Sequence, residues 1–190
     1  MKREAPAARL PITTIVARNS CPICVALREF HNDLVKHLEP DDCGTFCNTH
    51  AWAIARAAPA ESVATIFLRA VINPEWRAVA RAPNQCDFCK KLHEEKELRL
   101  NEIAQQLGDP QLRYWLRDYG MFCLRHGRDI TGKLPQDLQR TIQELMARNS
   151  GEIVEILEDL LQQLKRGSHA GGGVLGRAAE FLVAQRGIED

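Results

Sequence analysis

The sequence carries Cys21-Pro-Ile-Cys24 and then Gly44-Thr-Phe-Cys47-Asn-Thr-His50, and repeats both motifs as Cys86-Asp-Phe-Cys89 and Gly120-Met-Phe-Cys123-Leu-Arg-His126. Each copy supplies three cysteines and one histidine, which is the ligand complement of a closed tetrahedral zinc site. A single CxxC occurs often by chance, but a duplicate with matching flanks does not. The pattern therefore predicts two zinc ions per chain, held by Cys21, Cys24, Cys47, His50, Cys86, Cys89, Cys123 and His126.

The match between the two copies continues beyond the ligands. Apolar residues recur behind each CxxC, as in Leu27 and Leu92, and a Pro followed two residues later by an acid recurs behind each CxxH. Such a Pro and acid form a helix-start signal, because the ring needs no N–H there and the carboxylate lies near the positive helix end. We therefore interpret residues 21–72 and 86–148 as an internal duplication.

The second copy has a longer connection between its CxxC and its CxxH. The insertion is about 11 residues, close to three helical turns, so it can extend a helix without rotating its apolar face. The alternative is a separate short helix from Gln111 to about Tyr119. The break at Gly108-Asp109-Pro110 favours the separate helix.

Apolar residues recur at helical spacing, and no alternating strand pattern is convincing outside the N-terminal arm, so the predicted fold class is all-α. We expect tandem zinc-knuckle and helix units, divided into an arm (1–20), a first unit (21–82), a second unit with a long C-terminal helix (83–166), and a Gly-rich linker with a short terminal helix (167–190). A further short helix is expected around Trp76 and Val79. The long helix is expected to break or kink at Asn149-Ser-Gly151.

Composition restricts the class of protein. The 25 Lys and Arg residues balance the 25 Asp and Glu residues, so no overall charge favours nucleic acid or an anionic membrane. No apolar run approaches the roughly 20 residues of a membrane span. Seven cysteines, mostly in metal-type pairs, disfavour a secreted disulfide framework. We therefore expect a cytoplasmic protein with no membrane association.

The sequence leaves open which ligands share an ion. Local pairing gives each copy its own ion: Cys21, Cys24, Cys47 and His50, then Cys86, Cys89, Cys123 and His126. A cross-brace gives one all-thiolate site (Cys21, Cys24, Cys86, Cys89) and one mixed site (Cys47, His50, Cys123, His126). The duplication favours local pairing, because an ancestral single copy needs a complete site. Zinc suits these ligands best, and an iron–sulfur centre with one histidine ligand is the alternative.

Four other residues carry possible metal or redox chemistry. Cys43 is the seventh cysteine, and the repeat does not require it, because the second copy has Tyr119 in its place. His31, His37 and His93 lie in predicted helices. We interpret all three histidines as solvated residues, with His93 as a possible spare ligand.

The ligand motifs resemble those of an uncharacterised bacterial family of helical proteins with paired CPxC…GxxCxxH motifs. The resemblance covers roughly residues 20–130, and the second copy departs from it with Asp87 where the first has Pro22. The resemblance implies a bacterial, cytoplasmic, metal-binding helical protein. It supplies no catalytic residues.

Four protein ligands at each site leave no open coordination position, so the sequence predicts no enzyme. We expect a protein-interaction or regulatory module with a protein partner, whose identity and oligomeric state stay open. The alternative is a redox- or metal-responsive regulator in which Cys43 attacks a labile zinc site. A third interpretation, nucleic-acid binding through the basic residues of 113–133, is disfavoured by the small local excess of charge.

Overall fold

The structure, a computed structural model, describes residues 20–39, 41, 45–72, 86–166 and 172–183. These residues form helices and no strand, which confirms the all-α class. The helices are α1 (Pro22–Lys36), α2 (Asn48–Ala57), α3 (Ala60–Ile72), α4 (Asp87–Gln106), α5 (Pro110–Tyr119), α6 (Leu124–Thr131), α7 (Gln136–Lys165) and α8 (Gly172–Val183). Within the described ranges, no helix combines the length and the apolar character that a membrane span requires. The predicted N-terminal arm, Cys43 and the predicted helix at Trp76 and Val79 fall outside the described residues, except for Ser20.

Helices begin at matching points of the two sequence copies. In each case the residue before the helix accepts the first helical hydrogen bond at its carbonyl oxygen, over 2.8 to 3.1 Å. These residues are Cys21 and Cys86 before α1 and α4, Cys47 and Cys123 before α2 and α6, and Pro59 and Pro135 before α3 and α7. The order of helices thus agrees with the proposed repeat, while a common origin of the two copies remains a prediction.

The insertion in the second copy forms a separate helix, α5, as the Gly-Asp-Pro break indicated. Asp109 is its N-cap, and the Asp109 side chain accepts a hydrogen bond from the Gln111 backbone N–H at 2.8 Å. Pro110 occupies the first helical position, where the missing N–H costs nothing.

The long helix α7 is continuous from Gln136 to Lys165, so a break at Asn149-Ser-Gly151 is wrong, while the alternative of a kink there stays a prediction. A glycine inside a helix costs about 1 kcal/mol. Burial of one large apolar side chain contributes about 1.5–3 kcal/mol. Buried Leu145 and Ile153 lie on either side of Gly151. Their burial outweighs the cost of the glycine, so the helix continues.

The described chain forms two compact units. One comprises the described residues between 27 and 98, and the other comprises those of 20–26 and 99–183, so the division falls inside α1 and α4. These boundaries differ from the ranges 21–82 and 83–166 expected from the order of the copies along the chain. The ligand sets described below account for the difference, because each set combines residues from both copies.

Each unit has its own apolar core. In unit 27–98, the core consists of seven buried residues, two of which, Cys86 and Cys89, are also metal-ligand candidates. The seven are Val35, Leu38, Ile54, Ile66, Cys86, Phe88 and Cys89. In the other unit, α7 packs against α6 and α8. Its buried cluster there is Ile153, Ala178 and Phe181, with Leu124, Met146 and Leu157 packed against it.

Candidate metal centres

The eight predicted ligands converge in two groups of four. Cys21, Cys24, Cys123 and His126 form one group, here called the outer site, and Cys47, His50, Cys86 and Cys89 form the other, the inner site. The names follow the chain order, because the inner ligands all lie between the two halves of the outer set. Within each site the four ligand atoms lie within 4.8 Å of one another.

This nested pairing replaces both arrangements considered from the sequence. Local pairing is wrong, because Cys21 and Cys24 meet Cys123 and His126 instead of Cys47 and His50. The cross-brace is wrong too, because neither site is all-thiolate. Each site takes its CxxC from one copy and its CxxH from the other. Nested and local pairing both yield three cysteines and one histidine per ion, so the ligand inventory cannot distinguish them.

The outer site has the edge lengths of a metal tetrahedron. With zinc bonds of about 2.3 Å to sulfur and about 2.0–2.1 Å to nitrogen, the S···S edges are about 3.8 Å and the S···N edges about 3.6 Å. The Cys24 and Cys123 sulfurs are 3.7 Å apart. The His126 Nδ1 atom lies 3.5 Å from the sulfur of Cys21, 3.3 Å from that of Cys24 and 3.2 Å from that of Cys123.

The inner site has nearly the same dimensions. The sulfurs of Cys47 and Cys89 are 3.9 Å apart. The His50 Nδ1 atom lies 3.2 Å from the sulfur of Cys47, 3.4 Å from that of Cys86 and 3.5 Å from that of Cys89. A disulfide needs sulfurs about 2.05 Å apart, and none of the six ligand cysteines forms one. Both sites therefore fit a single ion bound through three sulfurs and Nδ1.

The ligand pairs all sit at the start of a helix, where the cap residue and the third helical residue face the same point. The pairs are Cys21 and Cys24 on α1, Cys86 and Cys89 on α4, Cys47 and His50 on α2, and Cys123 and His126 on α6. The side chains of Cys47 and Cys123 make no capping hydrogen bond. Two positive helix ends therefore meet at each site, which stabilises thiolates and suits a site of formal charge about −1 with zinc bound.

A pair of hydrogen bonds joins the two halves of the inner site. The Thr45 backbone N–H donates to the Asp87 carboxylate at 2.8 Å. The Asp87 backbone N–H donates to the Thr45 carbonyl at 3.0 Å. At the outer site Pro22 stands in the place of Asp87 and has no N–H to donate. The departure of the second copy from the CPxC motif thus has a structural role, since Asp87 ties the Cys-His turn to α4.

At the outer site, the turn before Cys123 is held by close packing at Gly120. A Cβ atom there would lie 2.6 Å from the Leu116 carbonyl oxygen and 2.8 Å from the Leu116 Cα. The φ of Gly120 is −78°, so glycine is required by space and not by conformation. Arg148 on α7 donates to the Gly120 carbonyl at 2.8 Å.

Replacing Gly120 with alanine should destabilise the metal-loaded protein by about 1–3 kcal/mol, because backbone atoms of α5 must move. Urea unfolding monitored by circular dichroism measures the free energy. Gly151→Ala is the matched control: a Cβ at Gly151 meets nothing within 4 Å, and the change should stabilise α7 by up to about 1 kcal/mol. A Gly120→Ala protein as stable as the wild type would contradict the packing argument.

Burial and sulfur contacts shift the pKa values of the ligands. Burial raises the pKa of Cys21, and hydrogen bonds with Cys123 and Cys24 raise it further. Hydrogen bonds from Cys21 and Cys24 lower the pKa of Cys123. At the inner site, burial and neighbouring Cys86 raise the pKa of Cys89. Burial, together with His31, lowers the pKa of His50 to about 4. His50 is therefore neutral near pH 7, the form that binds metal, while buried thiols must release protons as the ion enters.

Among the non-ligand histidines that the structure describes, His37 and His93 are exposed as predicted, but His31 is not a solvated residue. His31 is half-buried, its Nε2 atom is fully buried, and its ring centroid lies 5.3 Å from that of His50. The sequence contains a signal for this position. His31 lies four residues before Val35 and four after Leu27, both of them buried, which places it on the apolar face of α1.

The chain matches no protein-family model, no curated protein and no solved structure. The resemblance to a bacterial family with paired CPxC motifs therefore stays a prediction, and the two sites are interpreted from their own geometry.

Proposed function

We propose that this protein is a non-enzymatic helical protein stabilised by two structural zinc ions, acting as a protein-interaction or regulatory module. One observation carries the proposal: at each site four protein donors converge at tetrahedral distances. A catalytic zinc keeps one position for water or substrate, whereas a structural zinc has four protein ligands. The burial of seven of the eight ligands, with Cys47 half-buried, supports the same conclusion.

The donor set supports zinc over the iron–sulfur alternative. Three thiolates and an imidazole in a tetrahedron are a usual zinc environment. Ligand atoms within 4.8 Å of one another leave room for one ion but not for several irons with their bridging sulfides.

Exposed apolar side chains support a protein partner. On α7, the side chains of Val154, Leu161 and Leu164 are about half exposed. They recur at i, i+7 and i+10, which places them in one stripe along the helix. Such a stripe is a surface that a partner helix can cover.

No described residue favours the other two interpretations. The redox alternative depends on Cys43, which is outside the described residues. In the basic segment 113–133, Arg117 pairs with Asp118 at 2.9 Å and lies over the Tyr114 ring, which reduces the charge available to a phosphate.

X-ray absorption at the zinc edge, combined with elemental analysis, tests the proposal on protein purified under reducing conditions. We expect two zinc ions per chain, each with three sulfurs at about 2.3 Å and one nitrogen at about 2.0–2.1 Å. A water oxygen replacing one protein ligand would indicate an open position and favour an enzyme. Iron, or no metal, would refute the proposal.

A further inference from the structure

His50 of the inner site has a buried ring nitrogen for which the described segments supply no hydrogen-bond partner. Its Nδ1 atom faces the three sulfurs at 3.2 to 3.5 Å. A neutral imidazole that binds a metal through one nitrogen carries its proton on the other. The proton of His50 therefore lies on Nε2, which is buried and has no hydrogen-bond partner among the described residues. Metal-binding histidines almost always donate this second N–H to an acceptor.

His31 offers a matching acceptor. Its Nε2 atom is also fully buried and, within the part of the chain that the structure describes, also lacks a hydrogen-bond partner. The two ring centroids are 5.3 Å apart. Two ring nitrogens that point toward each other across this centroid separation come within hydrogen-bond reach, about 3 Å. A hydrogen bond between the two Nε2 atoms would satisfy two buried polar atoms at once, and leaving both unsatisfied is costly.

Phe88 limits the alternatives for both rings. The His50 ring stacks on Phe88 at 5.2 Å between centroids, with 23° between the planes. The His31 ring meets the same phenyl group edge-on, at 6.4 Å and 69°. Phe88 therefore covers one face of His50 and keeps water from that side. Of the two described rings that contact His50, the His31 ring carries polar nitrogen atoms and the Phe88 ring carries none.

We propose that His31 is a positioning residue of the inner site, which accepts a hydrogen bond from the Nε2–H of His50 and so orients the His50 Nδ1 atom toward the metal. The proposal rests on the metal-binding function proposed above. His31 itself binds no ion in this arrangement. The inner site therefore extends to α1, a helix whose own cysteines belong to the outer site.

Two substitutions distinguish a hydrogen bond from simple packing. His31→Leu fills a similar volume without an acceptor, whereas His31→Gln places an amide oxygen near the position of Nε2. In competition with a chromophoric chelator, His31→Leu should weaken zinc binding at the inner site about 10- to 100-fold. His31→Gln should restore most of the affinity. The exposed His93→Leu on α4 is the control and should bind zinc like the wild type.

Nitrogen-15 NMR of the histidine rings supplies a second measurement. In the zinc-loaded wild type and His31→Gln proteins, the Nε2–H of His50 should appear as a slowly exchanging, hydrogen-bonded proton. His31→Leu should shift this resonance and speed its exchange, while the His126 resonances of the outer site stay unchanged and report that the protein is folded. Unchanged inner-site affinity in His31→Leu, or equal weakening by Leu and Gln, would overturn the proposal. A wild-type protein that binds no metal would instead refute the zinc function itself.

Discussion

Replacing Cys24 and Cys123 together with serine should remove one zinc ion per chain, whereas replacing Cys24 and Cys47 together should remove both. The first pair belongs to the outer site, where the two sulfurs are 3.7 Å apart. The second pair takes one ligand from each site. A three-ligand remnant binds zinc much more weakly, because the missing thiolate removes both a bond and a charge.

Each pairing scheme predicts a different result for these double variants. Local pairing predicts the reverse result, because it places Cys24 with Cys47 and separates both from Cys123. The cross-brace predicts loss of both ions from both double variants. Elemental analysis after gel filtration measures the zinc content, and Cys43→Ser, which changes the one cysteine that is not among the eight predicted ligands, should keep two ions. Two ions lost from the Cys24 and Cys123 double variant would exclude nested pairing.

Removing both ions with a chelator at 37 °C should unfold most of the helical structure. Structural zinc in small peptides contributes about 10–16 kcal/mol. The whole folding free energy of a typical domain is about 5–15 kcal/mol. The inner ligands Cys86 and Cys89 belong to the apolar core of their unit. Loss of the ion therefore leaves buried thiols in this core with no metal bond to hold them together.

Circular dichroism and thermal melting measure this effect, with chelator already saturated with zinc as the control. Added zinc should restore the helical signal. The inner site should lose its ion first, because Cys47 is half-buried while the outer ligands are all buried. A metal-free protein that still melts cooperatively within a few degrees of the loaded form would show that packing alone holds the fold.

Much of the fold could be predicted from local sequence. The ligand cysteines and the prolines indicate where helices begin. Their spacing is local, because a cap residue and the residue three positions later lie within one helical turn. The separate helix α5 follows from Gly108-Asp109-Pro110 in the same way. Where a local rule failed, distant packing outweighed it, as at Gly151 in α7.

The eight ligands could also be predicted, but their grouping could not. The spacing within CxxC or CxxH is local, whereas the contacts that unite Cys24 with His126 span 102 residues of chain. The spacing of the motifs does not determine that contact. The duplication favoured local pairing, which would place Cys24 with His50. The contact of His31 was missed for a related reason: the place of His31 on the apolar face of α1 follows from the sequence, but its contact with the His50 ring does not.

Nested pairing also sets an order of assembly during synthesis. The inner ligands are complete once residue 89 has been made, and the loop that they close spans 42 residues. The outer loop spans 105 residues, which raises the entropic cost of closure by about 0.8 kcal/mol as long as the inner site is open. At roughly 5–20 residues per second, Cys21 waits about 5–20 s for His126 to be made. A ribosome-bound chain therefore passes through a state in which the inner site can take metal while the outer CxxC is still an unpaired dithiol, exposed to whatever thiol chemistry its surroundings offer.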